Sequence, residues 1–347
     1  MNRTISFAAV ALLIAALGAA SGTALVVGQR NRPDPSDPAR HITLKLGHAL
    51  DQQHPVHKAM VLFADRLDEL SSGAVTVDII PNGQLGSETE LLEQVQHGAL
   101  AMTKVSTAPL ESFVPEMSVF GLPYLFRDEP HFWAVLEGPI GKELLAKGAE
   151  SGLRGLCYYD AGARSFYTVN RPILKPDDLQ GLKIRVQASP TSMEMVETLG
   201  GSPTPISFGE LYSALQQKMV DGAENNPPSF HKTRHFEVCK HYSLDEHTRV
   251  PDLLLVNEEL WQQLPPQVQQ WIEEAIEESV AYERELWQKD TRDALEAVQK
   301  EGVTIHYPDK TLFADKAAPM LQAFNEAQDE ASERIAALIA RIQEVTP

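Results

Sequence analysis

The sequence predicts an α/β protein large enough for two domains. Strand-like and helix-like segments alternate from residue 42 onward, the pattern of a sheet flanked by helices. The 347 residues, 43% of them apolar, suffice for two packed cores. From Pro265 to Lys300 a helical pattern runs with no Gly or Pro after Pro266. Such a helix is roughly 50 Å long, more than one domain diameter, so it can run across two.

Ile42 to Ala49 alternates apolar and polar residues and predicts the first strand. His54 to Leu70 carries Val56, Met60, Phe63, Leu67 and Leu70 at helical spacing, and Ser71-Ser72-Gly73 stops that helix. Val75 to Ile80 is a second strand, closed by Pro81-Asn82-Gly83. After Gly86, Ser87 caps a helix with Glu90 at the capping-box position. Residues 101–125 are apolar and irregular, broken by Pro109, Pro115 and Pro123. A helix from Glu129 to about Glu150 follows, then strands at 154–160 and 165–170. Leu182–Val186, Met219–Asp221 and Leu253–Val256 are short strand candidates. Gly302 ends the long helix, Val303–Tyr307 returns as a strand, and 310–345 form amphipathic helices.

Arg3 precedes an uncharged run from Ile5 to Val27, with a small-residue patch at Ala19–Ala24. This layout predicts a secretory signal over residues 1–28 and an extracytoplasmic protein. The alternative is a retained anchor, since the run is long enough to span a bilayer. Residues 29–40 hold three prolines and three arginines and read as a linker. Formal net charge is −18, and residues 1–40 contain four Arg and two Asp, so the remainder carries about −20. That balance argues against nucleic-acid binding, which needs cationic patches. Cys157 and Cys239 sit in apolar surroundings and read as unpaired buried side chains, too sparse for a metal cluster.

No GxSxG elbow, P-loop, HExxH or GxGxxG loop occurs, so neither catalysis nor a cofactor is expected. His54/His57 and His231/His235 have helical spacing, but Lys232 and Arg234 flank the second pair and oppose a cation; these histidines read as surface or pocket lining. Arg185 interrupts an apolar strand, and its guanidinium fork suits a carboxylate. The bland reading is an edge strand with a solvated basic face. Arg164 is a second candidate, with a structural salt bridge as its alternative. Asn225 and Asn226 suit hydroxyls, and Phe208 suits a ring face or the core.

The segments PNGQLGSETELLEQVQHGALAM (81–102), VFGLPYLF (119–126), LQGLKIRV (179–186) and GGSPTPISFGELYSALQQKMVDGAENN (200–226) resemble the DctP-type substrate-binding subunits of tripartite ATP-independent periplasmic (TRAP) transporters. The resemblance covers nearly all of 41–345. It implies a two-domain periplasmic solute-binding fold, with domain I at 41–161 plus 253–290 and domain II at 162–252 plus 291–347. It implies closure on an organic acid and delivery to membrane permease subunits. The carboxylate-clamping arginine falls on Arg185, a second ligand-side arginine on Arg164, a ligand asparagine on Asn225 and a pocket aromatic on Phe208. Ser106, and Gln187-Ala188, depart from the sialic-acid members. DAGARSFYT (160–168), NNPPSF (225–230) and SLDEHTRVPD (243–252) resemble the sugar-acid group that takes glucuronate and galacturonate. Glu88, Ser106, Thr107, Asn225 and Asp252 are then hydroxyl partners, with His54 beside them. The rivals are a C4-dicarboxylate receptor, a ligand-sensing partner of a signalling protein and a periplasmic uronate enzyme.

Overall fold

The computed structural model describes residues 41–326 and 329–347. The signal or anchor at 1–28 and the linker at 29–40 lie outside the described residues.

The strands are β1 (Ile42–His48), β2 (Val75–Ile80), β3 (Met102–Ser106), β4 (Leu153–Tyr159), β5 (Arg164–Thr168), β6 (Lys183–Val186), β7 (Ser202–Pro205), β8 (Gly222–Asn225), β9 (His241–Thr248), β10 (Asp252–Asn257) and β11 (Thr304–His306). The helices are α1 (Pro55–Leu70), α2 (Glu88–Gln96), α3 (Thr107–Leu110), α4 (Glu129–Glu137), α5 (Pro139–Lys147), α6 (Pro190–Leu199), α7 (Leu211–Gln216), α8 (Pro227–Lys232), α9 (Glu258–Gln263), α10 (Pro266–Lys300), α11 (Lys310–Glu326) and α12 (Glu330–Glu344).

They build two sheets, ordered β2-β1-β3-β10-β4 and β11-β9-β5-β8-β6-β7. In the first, β1 is parallel to β2 and β3, while β10 runs antiparallel to both β3 and β4. In the second, β5 is antiparallel to β8 and β9, and β6 is parallel to β7 and β8. Each sheet lies between two apolar clusters. The chain passes between sheets after β4, after β9 and along α10, which packs on α1 at one end and α8 at the other. The first passage, Asp160–Ala163, turns at Gly162, where φ is +58°. A Cβ there would stand 3.0 Å from Trp287 Nε1, so the close seat of the passage on α10 requires glycine.

The capping box at α2 forms as its sequence implies: Glu90 N–H donates to Ser87 Oγ, and Glu90 Oε2 accepts from Ser87 N–H. Three secondary-structure expectations are corrected. The helix expected over 129–150 is two helices, because Gly138 is extended ahead of Pro139, which cannot continue a helix. The irregular stretch 101–125 contains strand β3. The strand placed at Met219–Asp221 lies at Gly222–Asn225, since Lys218 turns the chain with φ +58° before pairing begins. Helix α12, placed in the second domain on sequence grounds, buries Ile335, Leu338, Ile339 and Ile342 in the first core. Cys157 and Cys239 are buried and free, and burial raises both thiols.

Candidate functional site

Alternation along β6 sends Ile184 and Val186 into one core and Arg185 out of its opposite face. Lys183, two residues earlier on β6, is exposed at the strand's start, whereas Arg185 is only 2% exposed. Arg185 Nε donates to the Ile206 carbonyl at 2.8 Å, and its guanidinium lies 6.0 Å from the Phe208 ring. Its Nη1 is buried with no hydrogen-bond partner, and no carboxylate among the described residues pairs with it. An unpaired buried guanidinium is costly unless an anion joins it. Arg185 lines a groove of about 660 Å³ together with Glu88, Gln187 and Phe208.

Glu88, Gln187 and Phe208 also line a smaller cavity of about 30 Å³, with Lys104, Ser106, Arg164, Asn225, Asn226, Ser229 and Asp252. The structure therefore brings together Arg185, Arg164, Asn225, Phe208, Glu88, Ser106 and Asp252 across two adjoining hollows. Thr107 is buried with its hydroxyl unpartnered and lines neither. His54 lies just behind the wall. It caps α1, with Nδ1 accepting from Val56 N–H at 3.3 Å, so Nε2 carries the proton and donates to Ser229 Oγ at 3.3 Å. Burial, reinforced by Lys104, keeps this ring neutral.

Arg164 is not free. Its guanidinium forms a fork on Glu224, and Nη1 donates to Asn225 Oδ1 at 3.0 Å. Burial raises the Glu224 carboxyl, but Arg164 and His247 outweigh it and hold the group at about 2. His247 Nδ1 lies 2.7 Å from Asp245 Oδ2, and its Nε2 lies 3.6 Å from Glu224. Burial lowers this ring, yet Asp245 and Glu224 together carry it to about 9. The four groups form a buried, charge-balanced chain beneath the cavity. It fixes Asn225, whose Oδ1 also accepts from Asn226 N–H at 2.9 Å. The Asn225 amide N–H groups make no hydrogen bond to another of the described residues.

That chain predicts a pH dependence. The folded His247 pKa is raised above the ordinary 6.5, so its stabilisation is full below about 6.5 and is lost as pH rises through about 9. The shift corresponds to about 3 kcal/mol. Melting temperature should fall from pH 6.5 to 9.5, and His247→Asn should flatten that part of the curve.

Lys104 was missed at the sequence level because it lies in the stretch read as irregular. It is 1% exposed on β3, with Nζ 2.8 Å from Asp252 Oδ2 and 3.4 Å from Glu88 Oε1. The β3–β10 register sets Asp252 opposite Ser106. Ser106 N–H donates to Glu88 at 3.1 Å, and Ser106 Oγ donates to Gln187 Oε1 at 3.4 Å. Burial and Glu88 raise the Asp252 carboxyl, and Lys104 opposes them. Gln187, used at the sequence level only to disfavour sialic acid, thus joins the two sheets across the site. Glu224, Asp245 and Ser229 were also missed; the alternation Asp245-x-His247 on β9 was the available signal.

The site holds a carboxylate-ready cation and several fixed polar groups. Among the described residues no three His, Cys, Asp or Glu are grouped to hold a metal. The arrangement suits capture of a small hydroxylated acid.

Comparison with known proteins agrees. The model of bacterial extracellular solute-binding protein family 7 matches residues 46–328. A TRAP periplasmic solute-binding protein from Bradyrhizobium sp. BTAi1, solved with α/β-D-galacturonate, is 39% identical. The match covers 87% of this chain and 100% of that one, with a TM-score of 0.82. One from Roseobacter denitrificans, solved with β-D-glucuronate, is 36% identical over 88% of this chain and 100% of that one, TM-score 0.84. The C4-dicarboxylate-binding periplasmic protein DctP of Rhodobacter capsulatus is 33% identical over 89% of this chain and 92% of its own length. The two-sheet fold, the unpaired arginine in a polar groove and these matches lead to one conclusion: the chain belongs to bacterial extracellular solute-binding protein family 7, as a solute receptor of the TRAP type and not an enzyme.

Proposed function

We propose that this receptor binds a hexuronate, glucuronate or galacturonate, and delivers it to the membrane permease subunits of its transporter. The carrying observation is Arg185, buried and without an ion-pair partner, facing a groove lined with hydroxyl-compatible groups. The ligand carboxylate takes the guanidinium. Phe208 covers a ring face, and Asn225, Ser106, Glu88 and Asp252 meet hydroxyls. The uronates in the Bradyrhizobium and Roseobacter proteins support this ligand class.

The likeness to the Rhodobacter protein favours a second reading, a C4-dicarboxylate ligand. That ligand needs a second free cation. Arg164 is committed to Glu224, and Lys104 to Asp252 and Glu88, so neither supplies one. A thermal-shift screen against organic acids tests the proposal, because a ligand of the folded state raises the melting point. Glucuronate or galacturonate should give the largest shifts. Strong stabilisation by succinate or malate, with none from either uronate, would refute it.

We further propose that two domains, 41–161 plus 253–290 and 162–252 plus the chain from 291 up to α12, close on the ligand, since each contributes groups to the site. Helix α12 would move with the first core it packs on. Small-angle scattering should show a smaller radius of gyration at saturating uronate, and no change in Arg185→Ala. An unchanged radius in the wild type would rule out the hinge.

A further inference from the structure

Charge is distributed unevenly across the site. On the second sheet's side, Arg164 and His247 are matched by Glu224 and Asp245, which leaves Arg185 as the unmatched cation. On the first sheet's side, one ammonium, Lys104, meets two carboxylates, Asp252 at 2.8 Å and Glu88 at 3.4 Å. Lys104 and Asp252 are both buried, and Glu88 is 14% exposed at its side chain, so water screens this cluster weakly. One side therefore carries an excess positive charge and the other an excess negative charge, across hollows that share Glu88, Gln187 and Phe208.

We infer that the Glu88–Lys104–Asp252 cluster is a charge filter: it orients the ligand with its carboxylate on Arg185, and it rejects acids that carry a second carboxylate at the far end. This rests on the uronate reading and adds what the pocket excludes. The chemistry follows from the atoms. A hydroxyl at the far end donates to a carboxylate oxygen of Glu88 or Asp252 and accepts from Lys104. A carboxylate there has no proton to donate. It meets two like charges for one opposite charge, in a site where repulsion is felt strongly. Lys104 does not attract it, since its charge is already outnumbered. Rejection by a placed like charge is an established route to specificity. The ligand class taken is the monocarboxylate sugar acid, and the class excluded is the aldarate, with a carboxylate at both ends.

Glu88→Gln removes one negative charge and keeps an acceptor for Ser106 N–H, and Asp252→Asn keeps an acceptor for Lys104. Calorimetry with D-galacturonate and with galactarate on the wild type and both variants tests the filter. Across the variants each ligand is compared with itself, so in that series the difference between ring and open chain drops out. Galactarate should bind the wild type at least about tenfold more weakly than galacturonate, and gain on the order of tenfold in either variant, while galacturonate loses affinity. Galactarate affinity that stays flat or falls alongside galacturonate in both variants overturns the filter. So does a wild type that binds galactarate as tightly as galacturonate, a result that needs no variant to fold. A wild type that ignores galacturonate but binds another hydroxylated monocarboxylate, with galactarate gained in Glu88→Gln, would sink the uronate assignment and uphold the filter.

Discussion

Arg185→Ala is expected to abolish uronate binding while leaving the ligand-free protein at least as stable as the wild type. Both halves have one cause. In the ligand-free protein the guanidinium is buried, its Nη1 has no partner, and burial lowers its pKa from the ordinary value. Removing an unpaired buried charge relieves a desolvation cost. With ligand bound the same group completes a charge pair, and truncating such a pair costs roughly 2–5 kcal/mol, about 30- to 4,000-fold in affinity. Arg185→Lys should also bind poorly, because an ammonium cannot present two parallel N–H groups to a carboxylate. Calorimetry that finds wild-type affinity in either variant would remove Arg185 from the clamp. A sharp fall in the melting point of the ligand-free alanine variant would show instead that the residue is structural.

Arg164→Ala should fail in the opposite order, losing stability first. Arg164 is 5% exposed and its charge is spent on Glu224, itself 2% exposed. Without it, Glu224 keeps only His247 at 3.6 Å, and His247 is shared with Asp245. Removing one member of a buried pair costs about 3–5 kcal/mol. In a protein of this size that is a fall in melting temperature on the order of 5–15 °C. Any loss of affinity would follow indirectly, through Asn225, whose Oδ1 accepts from Arg164. A variant that melts like the wild type but no longer binds uronate would restore Arg164 to direct ligand contact.

The contrast between the two arginines marks what could be read from the sequence. Arg185 was legible because β6 is short and local: an arginine between Ile184 and Val186 must leave the apolar face. The α2 cap was legible for the same reason, since Ser87 and Glu90 are three residues apart. The role of Arg164 was not, because its partner Glu224 lies 60 residues away and meets it only when β5 pairs with β8. Lys104 was hidden in a proline-broken stretch where alternation over β3's five residues is too brief to stand out. The break between α4 and α5 was legible in principle, as Gly138-Pro139 interrupts the helical pattern. Local rules locate single elements and their free side chains. Which charges are spent on one another is decided by pairing across the sheets.

A crystal structure of residues 41–347 grown with D-galacturonate tests this binding mode most directly. One sugar acid should lie between the sheets, its carboxylate within hydrogen-bond distance of Arg185 Nη1, its ring against Phe208 and its far hydroxyls toward Lys104, Glu88 and Asp252. A carboxylate seated on Lys104, with hydroxyls facing Arg185, would contradict it.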